Sequence, residues 1–196
     1  MRIRQAVPGD GPGIARVRVT TWRAAYTGII AQSYLDALNI ETESVRWSEG
    51  LARWDPARCA IVAEREGASA DIDADTPRAI AGYVMGGPNR DEDPEYSGEL
   101  YAIYVLPEYQ SQGVGKVLFR AMMDWLAEKG HQGMILYVLR DNAPSRRFYE
   151  AMGGRAVREQ LVEIGGQMLA EVGYGYRLRP GAGSGADQVG QDPAAG

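Results

Sequence analysis

The chain has 196 residues, 45% of them hydrophobic, and a formal net charge of -5. That is about one domain's worth of sequence with enough apolar content for a sizeable core, and its acidic balance argues against nucleic-acid or anionic-membrane partners. Cys59 is the sole cysteine and His131 the sole histidine, which excludes an intramolecular disulfide and a His-rich metal site; a cytoplasmic setting, with no signal-peptide run and no membrane span, is the expectation.

Residues 2–7 read as a short strand, followed by a turn cluster from Pro8 to Gly13. Ile14, Val17, Thr21, Trp22 and Ala25 then share a helical face, which Gly28 closes. Ser33 can cap a short turn through Leu38, and Thr42 a helix running to Arg53. Residues 59–65 and 79–86 read as two strands of a hairpin. Between them, Gly67 to Pro77 is polar and acidic. Asp71, Asp73 and Asp75 alternate like half a calcium loop, but the glycine and distal glutamate that such a loop requires are absent, so a solvated loop is expected.

Gly86 to Glu95 forms another loop, and Glu99 to Val105 alternates as a half-buried strand. After Leu106-Pro107-Glu108-Tyr109 comes Gln110-Ser111-Gln112-Gly113-Val114-Gly115-Lys116. An apolar stripe of Val114, Val117, Leu118, Ala121, Met122 and Trp125 predicts a helix ending at Gly130. A strand from Met134 to Leu139 leads to Asp141-Asn142 and to Ser145-Arg-Arg-Phe148-Tyr149-Glu150. Residues 155–164 and 167–178 read as a hairpin turning at Gly165-Gly166. Residues 1–179 are therefore expected to form one domain. Residues 180–196, rich in Gly and Ala, are expected to be a disordered tail.

Between a strand and a helix, the glycines of the 110–116 loop let the backbone approach a ligand. The helix N-terminus beyond them suits a pyrophosphate. Neither the three-glycine dinucleotide fingerprint nor the mononucleotide loop ending in Gly-Lys-Ser/Thr is present. The pattern Gln110-x-x-Gly113-x-Gly115, after a strand ending Val105-x-Pro107, resembles the acetyl-CoA pyrophosphate loop of the GNAT superfamily of N-acetyltransferases. Asn142, Ser145 and Phe148-Tyr149-Glu150-x-x-Gly153 resemble that superfamily's next block. The order of elements agrees up to about residue 178. Gly154-Arg155 stand where the family often has an aromatic.

The resemblance implies an α/β fold: a mixed, mostly antiparallel sheet with a splayed central parallel strand pair, flanked by helices. It implies acetyl-CoA as co-substrate and no metal. The backbone of Ile103, Tyr104 and Val105 would receive the pantetheine arm, with the Val105 N–H polarising the thioester carbonyl. Gln110, Ser111, Gln112, Gly113, Val114, Gly115 and Lys116 would hold the pyrophosphate, and Asn142 and Ser145 would contact the arm. Tyr149 matches the family's general acid. Strand alternation puts Glu99 on one face with Tyr101, Ile103 and Val105, which makes it the candidate base, with water as the alternative. Only about one in 2,500 lysine-like amines is neutral at pH 7, so a proton must be removed. Trp22, Tyr26 and Tyr101 are candidate acceptor-binding residues. By alternation Tyr101 and Tyr104 point to opposite faces, so only one of them is expected in the acceptor pocket.

The implied reaction is acetyl transfer by direct attack of a primary amine. The amine could belong to a small metabolite, an amino acid or an antibiotic. A peptide N-terminus is the alternative within the enzyme class, and a non-catalytic acyl-CoA-binding module the alternative outside it. Members of the superfamily are often homodimers, and the sequence leaves that open.

Overall fold

The structure, a computed structural model, describes residues 1–53, 55–65, 79–91 and 93–179. The acidic Gly67–Pro77 stretch and the 180–196 tail lie outside the described residues. Among the described residues no helix is long and apolar enough to cross a membrane.

The elements follow the expected order. They are β1 (Arg2–Gln5), α1 (Gly11–Ala25), α2 (Gln32–Ala37), α3 (Ile40–Ala52), β2 (Cys59–Glu64), β3 (Ile80–Pro88), β4 (Gly98–Val105), α4 (Val114–Glu128), β5 (Gly133–Leu139), α5 (Ala143–Ala151), β6 (Arg155–Ile164) and β7 (Gln167–Arg177). Seven strands form one sheet in the order β1-β2-β3-β4-β5-β7-β6, and every neighbouring pair is antiparallel except β4 and β5. This is the mixed, mostly antiparallel sheet expected.

Helices cover both faces. On one, Leu118, Phe119 and Met122 of α4 and Tyr149 of α5 pack on Leu100, Val105, Leu136 and Tyr174. On the other, Ile14 and Val17 of α1 and Trp47 and Leu51 of α3 pack on Val62, Tyr83, Ala102 and Tyr104. Three local expectations shift, the first being that Ser33 lies inside α2, whose N-cap is Ala31 without a side-chain cap. Val117, placed in the α4 stripe, is 49% exposed, while Phe119 and Leu126 are buried, so the inward face is rotated. Asn39, not Thr42, caps α3, its side-chain oxygen accepting the Thr42 N–H at 2.9 Å.

The feature that creates the site is a break in the sheet. β4 and β5 pair only at Gly98–Met134 and Glu99–Ile135, then diverge. Opposite that divergence, Met85 pairs with Ala102 and Gly86 with Leu100, so Tyr101 is an extra residue on β4. Such a bulge bends its strand and interrupts side-chain alternation. Gly86 permits it: a Cβ there would lie 2.7 Å from the Glu99 carbonyl oxygen and 2.8 Å from the Met122 sulfur.

Candidate active site

Strand parity identifies the backbone groups that face the gap. The Leu106 N–H donates to the Ala81 carbonyl at 2.9 Å, so Val105 and Ile103, one and three residues earlier, turn their N–H and C=O groups away from β3 and into the gap. On β5, the Arg140 N–H bonds the Ala170 carbonyl at 2.8 Å, which leaves Leu139 and Tyr137 facing the gap from the other side. Two of these carbonyls already have partners. The Gln110 side-chain amide donates to the Val105 oxygen at 2.9 Å, and the Asn142 N–H donates to the Leu139 oxygen at 2.9 Å. The Ile103 and Val105 N–H groups have no strand opposite them. A ligand arm lying between β4 and β5 would meet them as a neighbouring strand does.

Past Val105 the chain makes a 3₁₀ turn, Pro107–Tyr109, and enters the loop. Ser111 has φ 59° and Gly113 φ 84°, so two left-handed residues flank Gln112. Backbone turned this way aims successive N–H groups into one concavity. The first turn of α4 adds N–H groups without helical acceptors and the positive end of the helix dipole. A Cβ at Gly113 would meet nothing within 4 Å, so its glycine answers to backbone conformation, not to crowding. The side chains of Gln110 and Gln112 brace the loop itself, on the Val105 carbonyl and on the Glu108 carbonyl at 2.7 Å. Lys116 is exposed at the rim. The open nest, helix terminus and unpaired strand edge fit an extended nucleotide thioester such as acetyl-CoA.

Two cavities of about 550 Å³ each occupy this region. One follows the loop, bounded by Ser111, Gly113, Gly115, Lys116 and Phe148. The other lies between α1 and the diverging strands, bounded by Trp22, Tyr26, Tyr104, Leu139 and Glu171. Both are lined by Ile103, Val105, Gln110, Pro144, Ser145 and Tyr149. Tyr149 therefore stands where they meet.

Asn142 positions Tyr149. Its side-chain oxygen caps α5 by accepting the Ser145 N–H at 3.2 Å, and the residue is buried. The Tyr176 hydroxyl donates to the Tyr149 carbonyl at 2.9 Å from the far side. Burial, and secondarily the neighbouring Tyr104, push the Tyr149 phenol above its ordinary range, so it holds its proton at neutral pH.

Trp22 and Tyr26 reach the second cavity together, their ring centroids 5.0 Å apart. The Tyr26 and Tyr104 hydroxyls are 3.5 Å apart, and burial raises the pKa of both. Tyr101 and Tyr104 both line this cavity, against the alternation argument, because the bulge at Tyr101 removes that alternation. The Tyr101 hydroxyl, however, is donated to the Pro88 carbonyl.

Glu99 is not brought to either cavity. Only 1% exposed, it accepts the Arg90 backbone N–H at 3.1 Å and is gripped by the Arg90 guanidinium. The same bulge is the cause: parity counted from Ile103 and Val105 does not carry past Tyr101. Arg18, Thr21 and Glu171 do line the second cavity and were not singled out as site residues in the sequence. For the first two a signal existed, since Arg18, Thr21 and Trp22 lie at i, i+3 and i+4 on one helix face. Glu171 carried none, because its place depends on which strand β7 joins.

The geometry describes a split sheet with a nest at one end and an aromatic cavity at the other. Residues 23–154 match the family model described as Acetyltransferase (GNAT) family. The chain belongs to the GNAT acetyltransferase family. It is 35% identical over 174 residues to the uncharacterized N-acetyltransferase YuaI of Bacillus subtilis, covering 89% of this chain and 91% of that one. Mycothiol acetyltransferase of Corynebacterium diphtheriae is 28% identical over 150 residues, 74% of this chain and 48% of that protein. Among solved structures, yncA from Salmonella typhimurium, described as a putative acetyltransferase with its cofactor acetyl-CoA, superposes with a TM-score of 0.62 at 18% identity, over 99% of both chains. This GNAT protein is an acetyl-CoA-dependent acyltransferase.

Proposed function

We propose that this protein transfers acetyl from acetyl-CoA to the primary amine of a small molecule, by direct attack and in the cytoplasm. The observation that carries the reading is the meeting of the two cavities at Tyr149, between the diverging ends of β4 and β5. The loop-side cavity takes the nucleotide and the aromatic cavity the amine.

Acetyl-CoA supplies an activated thioester, and the protein supplies position, a hydrogen-bond donor and a proton. The Ser111–Gly113 nest and the start of α4 hold the pyrophosphate, while the Ile103 and Val105 N–H groups hold the arm. The Val105 N–H faces the gap, where it can stabilise negative charge developing on the carbonyl oxygen. The Tyr149 hydroxyl, which keeps its proton at neutral pH, serves the departing sulfur. In the balance, a C–N bond forms and a C–S bond breaks. Of the two protons that leave the ammonium nitrogen, one ends on the thiol and one in solvent.

Thiol release from acetyl-CoA against a panel of amines tests this, with calorimetry of CoA binding to the native protein and to Gly113→Asp. Release with at least one amine is expected, as is binding that the aspartate abolishes by crowding and repelling the phosphates. Absence of CoA binding, or binding indifferent to Gly113→Asp, would refute the assignment.

A further inference from the structure

The acceptor-side cavity carries one cation and one anion among its described lining residues, Arg18 on α1 and Glu171 on β7. The Arg18 Nε lies 3.2 Å from a Glu43 carboxylate oxygen, and that carboxylate is also held by Arg46 at 3.0 Å. Two guanidinium groups thus share one carboxylate, and the trio keeps a net positive charge. Arg18 lies over the Trp22 ring, 4.6 Å from its centroid, so its position is fixed.

Beside it, the Thr21 hydroxyl is buried without a hydrogen-bond partner, in a residue 5% exposed, whereas the Trp22 indole is turned toward the Tyr104 hydroxyl. Buried polar atoms are nearly always paired, so an unpaired hydroxyl on a cavity-lining residue beside a cation points to a missing ligand. A guanidinium can only donate, and a hydroxyl can do so too. The group they await is therefore an acceptor, and the local positive charge selects an anionic one. A carboxylate meets both conditions.

Across the cavity the electrostatics reverse. The Gln160 amide donates to one Glu171 oxygen at 3.1 Å, and the other oxygen receives no hydrogen bond from a described residue. Glu171 pairs with Leu139 at the diverging end of β5 and lines the same cavity as Tyr149. Trp22, Tyr26 and Tyr104 wall the space between the two ends.

We infer that the acceptor is an amino-carboxylate zwitterion, its ammonium held at Glu171 and its carboxylate at Arg18 and Thr21. This rests on the acetyl-transfer reading above and narrows it. Diamines and aminoglycosides would set a second cation against Arg18, and a peptide N-terminus would leave the Arg18 end unfilled.

The test compares kcat/KM for matched acceptors: α- and ω-amino acids, their carboxamides, their methyl esters and simple diamines. The native enzyme should prefer at least one acid over its amide and ester by about tenfold or more. Arg18→Gln should raise KM for that acid until acid and amide are used equally, with CoA affinity by calorimetry retained. Glu171→Gln should raise KM for acid and amide alike. Equal use of acids, amides and diamines by the native enzyme would overturn the inference, as would silence toward every zwitterion or a preference that survives Arg18→Gln. If Arg18→Gln fails to fold, the native acid–amide comparison decides alone. Transfer to amines regardless of a carboxylate would sink this inference and leave the acetyltransferase reading standing; loss of CoA binding altogether would sink both.

Discussion

Replacing Tyr149 by phenylalanine separates chemistry from architecture. The ring packs against Phe119, Phe148 and Tyr174 at centroid distances of 6.3, 5.4 and 6.2 Å, and phenylalanine preserves those contacts. The hydroxyl forms no hydrogen bond with another described residue, so its removal orphans no partner. Folding stability should therefore change by less than about 1 kcal/mol. The catalytic cost should be far larger: loss of a positioned acid lowers kcat about 10²–10⁴-fold. That corresponds to roughly 2.7–5.4 kcal/mol on the barrier. KM for acetyl-CoA should hold, because the nest and strand edge are untouched. Steady-state thiol release, with thermal melts of both proteins, makes the comparison. A variant that melts normally and keeps kcat within about threefold of native, well below what a positioned acid supplies, would refute the role given to Tyr149.

Tyr176→Phe is the structural counterpart: it removes the 2.9 Å donation to the buried Tyr149 carbonyl and should cost about 1 kcal/mol by denaturant titration. Asn142→Ala removes the α5 cap and should lower stability by about 0.5–2 kcal/mol, with a fall in kcat as the helix bearing Tyr149 frays. Burial raises the phenol pKa of Tyr83, Tyr149 and Tyr176 above the ordinary 10.0, so the folded state keeps protons that the unfolded chain releases. Their stabilisation is complete below pH 10 and lost as pH rises beyond it; a melting temperature that stays level above pH 10 would contradict this. Burial likewise pushes the Cys59 thiol up to about 11, so a thiol reagent at pH 8 should titrate no cysteine in the native protein and one in denaturant.

The sheet was legible wherever local chemistry determined it. Gly165 and Gly166, with φ of 60° and 76°, turn the β6–β7 hairpin as their sequence required. The nest was equally local, since Gln110 to Lys116 adjoin one another in the chain. The bulge at Tyr101 was not legible, because it depends on Gly86 of another strand and on the close approach of Glu99 and Met122. That single insertion moved Glu99 into the grip of Arg90 and put Tyr101 and Tyr104 on one cavity. Long-range pairing also hid Glu171, whose position against Leu139 is set by β7 joining β5.

The two halves of the split sheet differ in how the chain delivers them. The loop-side cavity is lined from the single span 103–152, whereas the aromatic cavity draws on α1 and β7, which lie far apart in the sequence. β7 also sits inside the sheet, between β5 and β6. Detaching β7 would remove Glu171 from the aromatic cavity and part β6 from the sheet, yet touch no residue that bounds the loop-side cavity. The two cavities thus differ in range: one rests on contacts local in the sequence, the other on the same long-range pairing that completes the sheet.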